Sequence, residues 1–139
     1  MAIPYLACMV LTASFYHLPP RVLPTIQAVE GGRVGDVHRN TNGTDDLGVM
    51  QVNTIWLEPI SRVAHLSEAE VRQRLTFNSC FNIAAAGLIL RSYLNQPNTD
   101  LLHAIGDYHS HTPTLNMSYK VQVLRMAERL FGEVSRQRR

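Results

Sequence analysis

The stretch TIQAVEGGRVG, residues 25–35, ends an apolar run with one glutamate, Glu30, followed by two glycines. Gly31 and Gly32 are expected to supply the positive φ that ends a helix, which places Glu30 in the last turn of the preceding helix. An anion is unfavourable there, because the unpaired carbonyls at a helix end carry partial negative charge. A carboxyl group in that position is either well solvated or kept partly protonated, and the second state is that of a general acid.

A polar segment, NTNGTDDLGVMQVN at residues 40–53, follows this glutamate and supplies further reactive or hydrogen-bonding groups. The Asn-Gly pair at residues 42–43 indicates a tight turn, because both residue types tolerate positive φ. Two consecutive aspartates, the second of them Asp46, add carboxylates. The amides of Gln51 and Asn53 suit sugar recognition, since hydroxyl groups need partners that both donate and accept hydrogen bonds.

Two patterns are compatible with a bound metal ion, and both are incomplete. With Gly43 at the sixth position of a calcium loop, the first and twelfth positions fall on His38 and Val49, so neither end supplies a carboxylate. His109 and His111 form a His-x-His pair, but no third ligand lies at a suitable spacing. We therefore predict no metal and no other cofactor, and we assign both histidines to a loop or a binding groove.

The elements that must position these residues are predicted to be helical nearly throughout, which makes the fold class all-α. Apolar periodicity predicts helices over about 5–17, 23–30, 68–75, 80–94, 99–107 and 116–135. Ser67 and Glu70 form a capping box, and Asn78 or Ser79 caps the following helix. The small residues at 84–87 would let another helix approach closely. Residues 32–48 indicate a loop or a short hairpin.

Composition and charge limit the architecture and the partners. With 139 residues, of which 45% are hydrophobic, the chain is expected to form one domain over 1–139, with a basic tail at about 132–139. The net charge of +2 comes from scattered basic residues without an aromatic platform, so we predict no nucleic-acid partner. No apolar run reaches membrane-spanning length. The N-terminal apolar segment is interpreted as a helix of the mature protein, with any signal peptide removed before residue 1.

The chain has two cysteines, Cys8 and Cys80, and their number does not decide between free thiols and a disulfide. Buried free thiols are the common intracellular outcome. A bridge would close a loop of about 70 residues and contribute roughly 4 kcal/mol, but only in an oxidising compartment.

Four segments in order resemble the soluble lytic transglycosylases: VEGG, NTNGTDDLGVMQVN, CFNIAAAGLIL and AIGDYHSHTP. The resemblance is greatest to the small specialised members that accompany bacterial secretion, pilus and conjugation machines. In that family a catalytic glutamate ends a helix, and a Gly-Leu-Met-Gln-Ile-Asn segment, an Asn-led helix and a Tyr-Asn or Tyr-His segment follow. The corresponding positions here are Glu30, residues 48–53, Asn82 and residues 104–109, and the match covers about 5–125.

The resemblance implies a lysozyme-like fold and cleavage of the β-1,4 bond between N-acetylmuramic acid and N-acetylglucosamine in peptidoglycan. Glu30 would protonate the leaving oxygen and then accept the proton of the muramoyl 6-hydroxyl, which gives a 1,6-anhydro product. Tyr108 would orient the Glu30 carboxyl, and the groove would be lined by Met50, Gln51, Asn53 and His109. The family also implies a place in the periplasm or cell envelope, possible partners in an envelope-spanning machine, and a Cys8–Cys80 disulfide.

Two alternatives remain open. The polar segment also resembles that of the c-type lysozymes, in which Asp46 would be the second carboxylate of a muramidase that hydrolyses the same bond. Gly31 replaces the serine that commonly follows the transglycosylase glutamate, which is compatible with a peptidoglycan-binding or assembly protein of low activity. Among the remaining candidates, Asn82 is expected to form structural hydrogen bonds, and Trp56 and Tyr119 are expected in the core.

Overall fold

The computed structural model describes residues 3–110 and 113–132. The described chain is mainly helical with one small antiparallel sheet, which confirms the mainly-α class predicted from the sequence. It divides into two compact units, residues 1–87 and 88–139. None of the helices in the described ranges is both long and apolar enough to cross a membrane. His111 and the basic tail from residue 133 onward lie outside the described residues.

The first unit contains four complete helices, the beginning of a fifth, and the sheet. Its helices are α1 (Leu6–Tyr16), α2 (Val22–Glu30), α3 (Leu57–Ala64), α4 (Glu68–Phe77) and α5 (Ser79–Leu94), of which α5 continues into the second unit. The strands β1 (Val37–Arg39), β2 (Asp45–Leu47) and β3 (Val52–Asn53) pair antiparallel in the order β1-β2-β3. A short 3-10 turn at Thr54–Trp56 joins β3 to α3.

Local signals set the helix boundaries largely as predicted. Pro24 is the third residue of α2, within the first turn, where no intrahelical N–H is required of it. The Ser67 hydroxyl accepts the backbone N–H of Glu70 at 3.1 Å, which caps α4. Asn78 is the residue that caps α5, because its Oδ1 accepts the N–H of Phe81 at 2.9 Å.

Helix α3 and strand β3 are elements that the sequence patterns did not predict. Pro59 is the third residue of α3 and therefore lies in the first turn, where proline is tolerated. Ile60 is the buried residue of this helix. Trp56, expected in the core, is only half-buried.

A disulfide and a close helix contact hold α5 against α1. Cys8 and Cys80 are bonded to each other, with their Cα atoms 5.3 Å apart, which confirms the predicted pairing. A Cβ on Gly87 would lie 2.9 Å from Cδ2 of Tyr16 and even closer to the methyl group of Thr12. The small residue at position 87 is therefore required by the approach of α1, as the sequence predicted.

The predicted hairpin is formed by β1 and β2. Asn40 N–H donates to the carbonyl of Thr44 at 2.8 Å, and Gly43 N–H donates to the carbonyl of Asn40 at 3.2 Å. Gly43 has a φ of +87°, which explains the Asn-Gly signal. Asn42 Oδ1 accepts the N–H of Thr44 at 3.0 Å and stabilises the same turn.

The second unit contains the rest of α5, α6 (Leu101–His109) and α7 (Pro113–Ala127), followed by a π-helical turn at Glu128–Gly132. A polar network joins α6 to α7. Asn116 Nδ2 donates to Asp107 Oδ1 and to the carbonyl of Ser110, both at 3.0 Å. His103 Nε2 lies 3.3 Å from the buried Asp107 carboxylate. Burial first, and then the charge of Asp107, raise the pKa of Tyr93.

A candidate active-site cleft beside Glu30

Glu30 is the last residue of α2, as predicted, and its side chain is half-buried. Gly31 ends the helix with a φ of +67°, and its N–H donates to the carbonyl of Gln27 at 2.8 Å. Gly32 does not adopt positive φ, so the expectation that both glycines supply it is wrong for the second one. A Cβ on Gly32 would overlap the carbonyl oxygen of Gly48, so close packing explains this glycine.

The segment that crosses Gly32 is itself tightly held. Gly48 has a φ of +69°, and a Cβ there would overlap the carbonyl of Leu75 and lie 2.6 Å from Nδ2 of Asn82. Gln51 has a φ of +54°, which is uncommon for a residue other than glycine. Its N–H and its side-chain Nε2 both donate to the Gly48 carbonyl, at 3.1 and 3.0 Å.

Asn82 holds the segment around Gly48 in place with three hydrogen bonds, each 2.8 Å long. Its Oδ1 accepts the N–H of Met50, and its Nδ2 donates to the carbonyls of Leu47 and Leu75. The side chain is fully buried, with 0% exposure. The predicted structural role of Asn82 is therefore confirmed: one amide connects α5, the end of β2 and α4.

A turn at residues 33–36 positions a carboxylate that the sequence reading did not single out. Asp36 Oδ2 accepts the N–H of Arg33 at 2.9 Å, and Asp36 N–H donates to the Arg33 carbonyl at 3.1 Å. Gly35 N–H donates to the Thr76 carbonyl at 2.7 Å, and Gly48 N–H donates to the Asp36 carbonyl at 2.9 Å. The turn is thus held on both sides, and the Asp36 backbone has little freedom.

These segments enclose an open cleft of about 240 Å³ beside Glu30. Among the residues that line it are two acids, one histidine and one glutamine, and the full set is Glu30, Gly31, Gly32, Asp36, Val37, His38 and Gln51. Its volume is somewhat below the range of roughly 300–1,000 Å³ that is typical of small-molecule pockets, so it suits one unit of a larger ligand.

Of the four predicted groove residues, Gln51 lines the cleft, while Met50 and Asn53 do not belong to its wall. The Met50 side chain is fully buried in the core, so the structure places it away from the cleft surface. Asn53 Oδ1 accepts the N–H of Ile55 at 2.9 Å and caps the 3-10 turn, while its Nδ2 donates to Asp46 Oδ1 at 2.9 Å. The oxygen and the nitrogen of the Asn53 side-chain amide therefore both have partners within the polar segment and the 3-10 turn.

Asp46, the candidate second carboxylate, lies on β2 directly opposite Asn53 and also opposite His38. It is half-buried, and it is not one of the residues that line the cleft. The adjacent Asp45 pairs with Arg72 of α4 at 2.6 Å. Both aspartates of the polar segment therefore have structural partners.

Tyr108 and His109, the other predicted site residues, lie in the second unit on the last turn of α6. Tyr108 is half-buried. The His109 ring stacks on Tyr119, with ring centroids 4.4 Å apart and an angle of 5° between the planes. Tyr119 is 1% exposed, which confirms its expected place in the core.

Asp36 and His38 are the cleft residues that sequence reasoning missed. A weak signal was present, because they occupy alternate positions just before and within β1, directly after the glycines that follow Glu30. Within the described ranges, no group of three or more His, Cys, Asp or Glu side chains is arranged to hold a metal ion.

No protein-family model matches this chain, and no curated protein matches it significantly. A functional assignment therefore depends on the residues of this chain and on their geometry.

Proposed function

We propose that the protein is a peptidoglycan lytic transglycosylase in which Glu30 is the catalytic acid and base. The observation that carries the proposal is the position of Glu30: it ends α2 and lines an open polar cleft. The ordered resemblance of the surrounding segments to soluble lytic transglycosylases supports the substrate class. The fold that accompanies this activity is lysozyme-like, and a helix ending at the acid followed by a hairpin agrees with it.

The reaction needs one carboxyl group and consumes no water. Protonated Glu30 donates its proton to the glycosidic oxygen between N-acetylmuramic acid and N-acetylglucosamine while the bond from that oxygen to the muramoyl anomeric carbon breaks. The resulting carboxylate then accepts the proton of the muramoyl 6-hydroxyl, and the 6-oxygen bonds to the anomeric carbon. Glu30 is protonated again, and the product carries a 1,6-anhydro ring.

The one-carboxyl scheme is favoured over a muramidase that uses Asp46. Asp46 does not line the cleft, and its Oδ1 accepts a hydrogen bond from Asn53. A muramidase of this kind would need the Asp46 carboxylate close enough to the scissile bond to activate water or to attack the anomeric carbon.

The site of action that goes with this substrate is the periplasm or cell envelope. The Cys8–Cys80 disulfide is compatible with an oxidising compartment. Local opening of the wall for a secretion, pilus or conjugation machine is the role we propose, in line with the relatives that the sequence resembles.

The test is mass spectrometry of the muropeptides released from purified peptidoglycan by wild type, Glu30→Gln and Glu68→Gln. Glu68 is an exposed glutamate in the first turn of α4 and serves as the matched control. We expect anhydro products, lighter by one water than hydrolytic ones, from wild type and Glu68→Gln. Loss of a general acid typically lowers the rate roughly 10²- to 10⁴-fold, and we expect this for Glu30→Gln.

Products with reducing ends would contradict the transglycosylase and establish a hydrolase. Binding to peptidoglycan without any product from folded wild type would instead establish a binding or assembly protein. Equal rates for wild type and Glu30→Gln would remove Glu30 from the mechanism.

A further inference from the structure

Helix α7 has an exposed apolar stripe outside its packed face. The packed face is held in the core by buried residues, chiefly Tyr119 and Val123. Met117, Val121 and Leu124 are 59%, 39% and 55% exposed. Because they follow one another at intervals of four and three residues, they lie along one face of the helix. The stripe is therefore in contact with solvent and available to a partner.

Three basic residues border this stripe. Lys120 lies on one side of it and Arg125 on the other, and Arg129 follows Arg125 about one turn later. Among the described residues, none of the three makes an ion pair or a hydrogen bond. The one acidic residue in these turns, Glu128, has its carboxylate against Gly132. Three cations against one carboxylate leave the surface with a net positive charge.

An apolar stripe with basic edges is typical of helices that lie at a membrane interface. The residues of this surface, which we call the α7 face, are Met117, Lys120, Val121, Leu124, Arg125 and Arg129. We propose that the α7 face docks on a lipid surface with anionic headgroups. The apolar side chains would enter the boundary between headgroups and acyl chains, while the basic side chains would stay among the phosphates. This peripheral binding goes beyond the activity proposed for Glu30 and does not depend on it.

A second copy of the chain fits the α7 face less well than a lipid surface does. Helix α7 is about 22 Å long and 10–12 Å wide, so half of its surface is on the order of 400 Å². A stable interface needs about 800 Å² on each partner. A two-fold pair would also bring the same basic side chains of both copies together, and their charges would repel. A lipid surface needs no matched groove, and its phosphates compensate the positive charge.

Helix α1 exposes a second apolar surface, which provides a comparison. Leu11 and Phe15 are 72% and 74% exposed, and Leu6–Tyr16 contains no charged residue. An uncharged surface does not favour an anionic ligand over a neutral one. A substitution on α1 therefore tests whether apolar exposure alone is sufficient for lipid binding.

The test is co-sedimentation of the full chain with lipid vesicles at low and at high ionic strength. One set of vesicles is phosphatidylcholine alone, and the other is an equal mixture of phosphatidylcholine and the anionic phosphatidylglycerol. Leu124→Gln removes an apolar contact, and Lys120→Gln and Arg125→Gln each remove one charge. The matched controls, all at exposed positions outside α7, are Leu11→Gln, Val63→Gln and Arg39→Gln. Far-UV circular dichroism checks that every variant is folded.

We expect wild type to bind the mixed vesicles at low ionic strength and to bind phosphatidylcholine alone much more weakly. Lys120→Gln and Arg125→Gln should each lower the partition coefficient roughly 5-fold, which is the contribution of one basic residue near an anionic surface. Leu124→Gln should lower it roughly 5- to 10-fold, because the apolar area that enters the interface is lost. High ionic strength should weaken binding of wild type, since salt screens the charges. The three controls should bind like wild type.

Several results would overturn the inference. Wild type that does not bind the mixed vesicles would exclude the lipid surface and leave an acidic protein surface as the alternative occupant. Equal binding to both kinds of vesicle would contradict the role of charge, and an equal loss in the controls would contradict the assignment to α7. A wild-type dimer in sedimentation velocity that Leu124→Gln abolishes would make the α7 face an interface between copies. Muropeptide release is measured separately, so failure of lipid binding would leave the proposed role of Glu30 untouched.

Discussion

Replacing Asn82 by alanine should destabilise the protein far more than the same change at Asn78, four residues earlier in the chain. Asn82 is fully buried and makes three hydrogen bonds of 2.8 Å to backbone groups of two segments, residues 47–50 and helix α4. Asn78 is exposed and makes one side-chain bond, of 2.9 Å, to the N–H of Phe81. The two substitutions are chemically identical, so the difference between them reports burial and the number of partners.

The magnitude follows from the groups that lose their partner. A buried polar group left unsatisfied costs about 1–3 kcal/mol, and Asn82→Ala affects one N–H and two carbonyls. Alanine returns at most about 0.7 kcal/mol of helix propensity. We therefore expect a loss of about 3–5 kcal/mol, against a total stability of about 5–15 kcal/mol for a typical domain. Loss of the Asn78 cap should cost about 1 kcal/mol.

The measurement is urea and thermal unfolding, followed by far-UV circular dichroism, for wild type and both variants. At roughly 2–4 °C per kcal/mol, Asn82→Ala should lower Tm by about 6–20 °C, and Asn78→Ala by about 2–4 °C. Stability losses that agree within about 1 kcal/mol would refute the reasoning. They would mean that the amide of Asn82 does not hold α5, β2 and α4 together.

Three further predictions concern a glycine, the disulfide and a tyrosine. Gly48→Ala should lower the free energy of unfolding by at least about 3 kcal/mol, because the φ of +69° and the contact with the Leu75 carbonyl both oppose a Cβ. Gly43→Ala, at a φ of +87° with nothing within 4 Å, should cost only about 1 kcal/mol, and similar values would contradict this account. Reduction of the disulfide, which spans 72 residues, should lower stability by about 4 kcal/mol in urea unfolding, and an unchanged midpoint would rule out that contribution. Burial and the Asp107 carboxylate raise the pKa of Tyr93, so the contribution of Tyr93 to the free energy of unfolding should be constant below about pH 10 and be lost as the pH rises from there through the folded-state pKa. Tyr93→Phe should reduce that alkaline loss of Tm, and an identical pH profile would show that Tyr93 does not cause it.

The candidate site was only partly predictable from the sequence. The helix end at Glu30 was readable, because the glycines that follow it act on the backbone within a few residues. The residues that line the cleft could not be predicted from the sequence. Met50 and Gln51 are neighbours in the polar segment, yet one side chain is fully buried and the other lines the cleft. Asp36 faces the cleft because its turn is tied to Thr76 and Gly48, which are far away in the sequence.

The sequence by itself determined what depends on short-range interactions: the mainly helical class, the caps at Ser67 and Asn78, the hairpin turn at Gly43 and the place of Glu30 at the end of α2. These features follow from side chains and backbone torsions within about four residues of one another. The tertiary structure alone decided which polar groups share the cleft with Glu30 and why Gly32 must be small. Those outcomes depend on contacts between segments distant in sequence, where burial and hydrogen bonding are fixed only when the segments pack together.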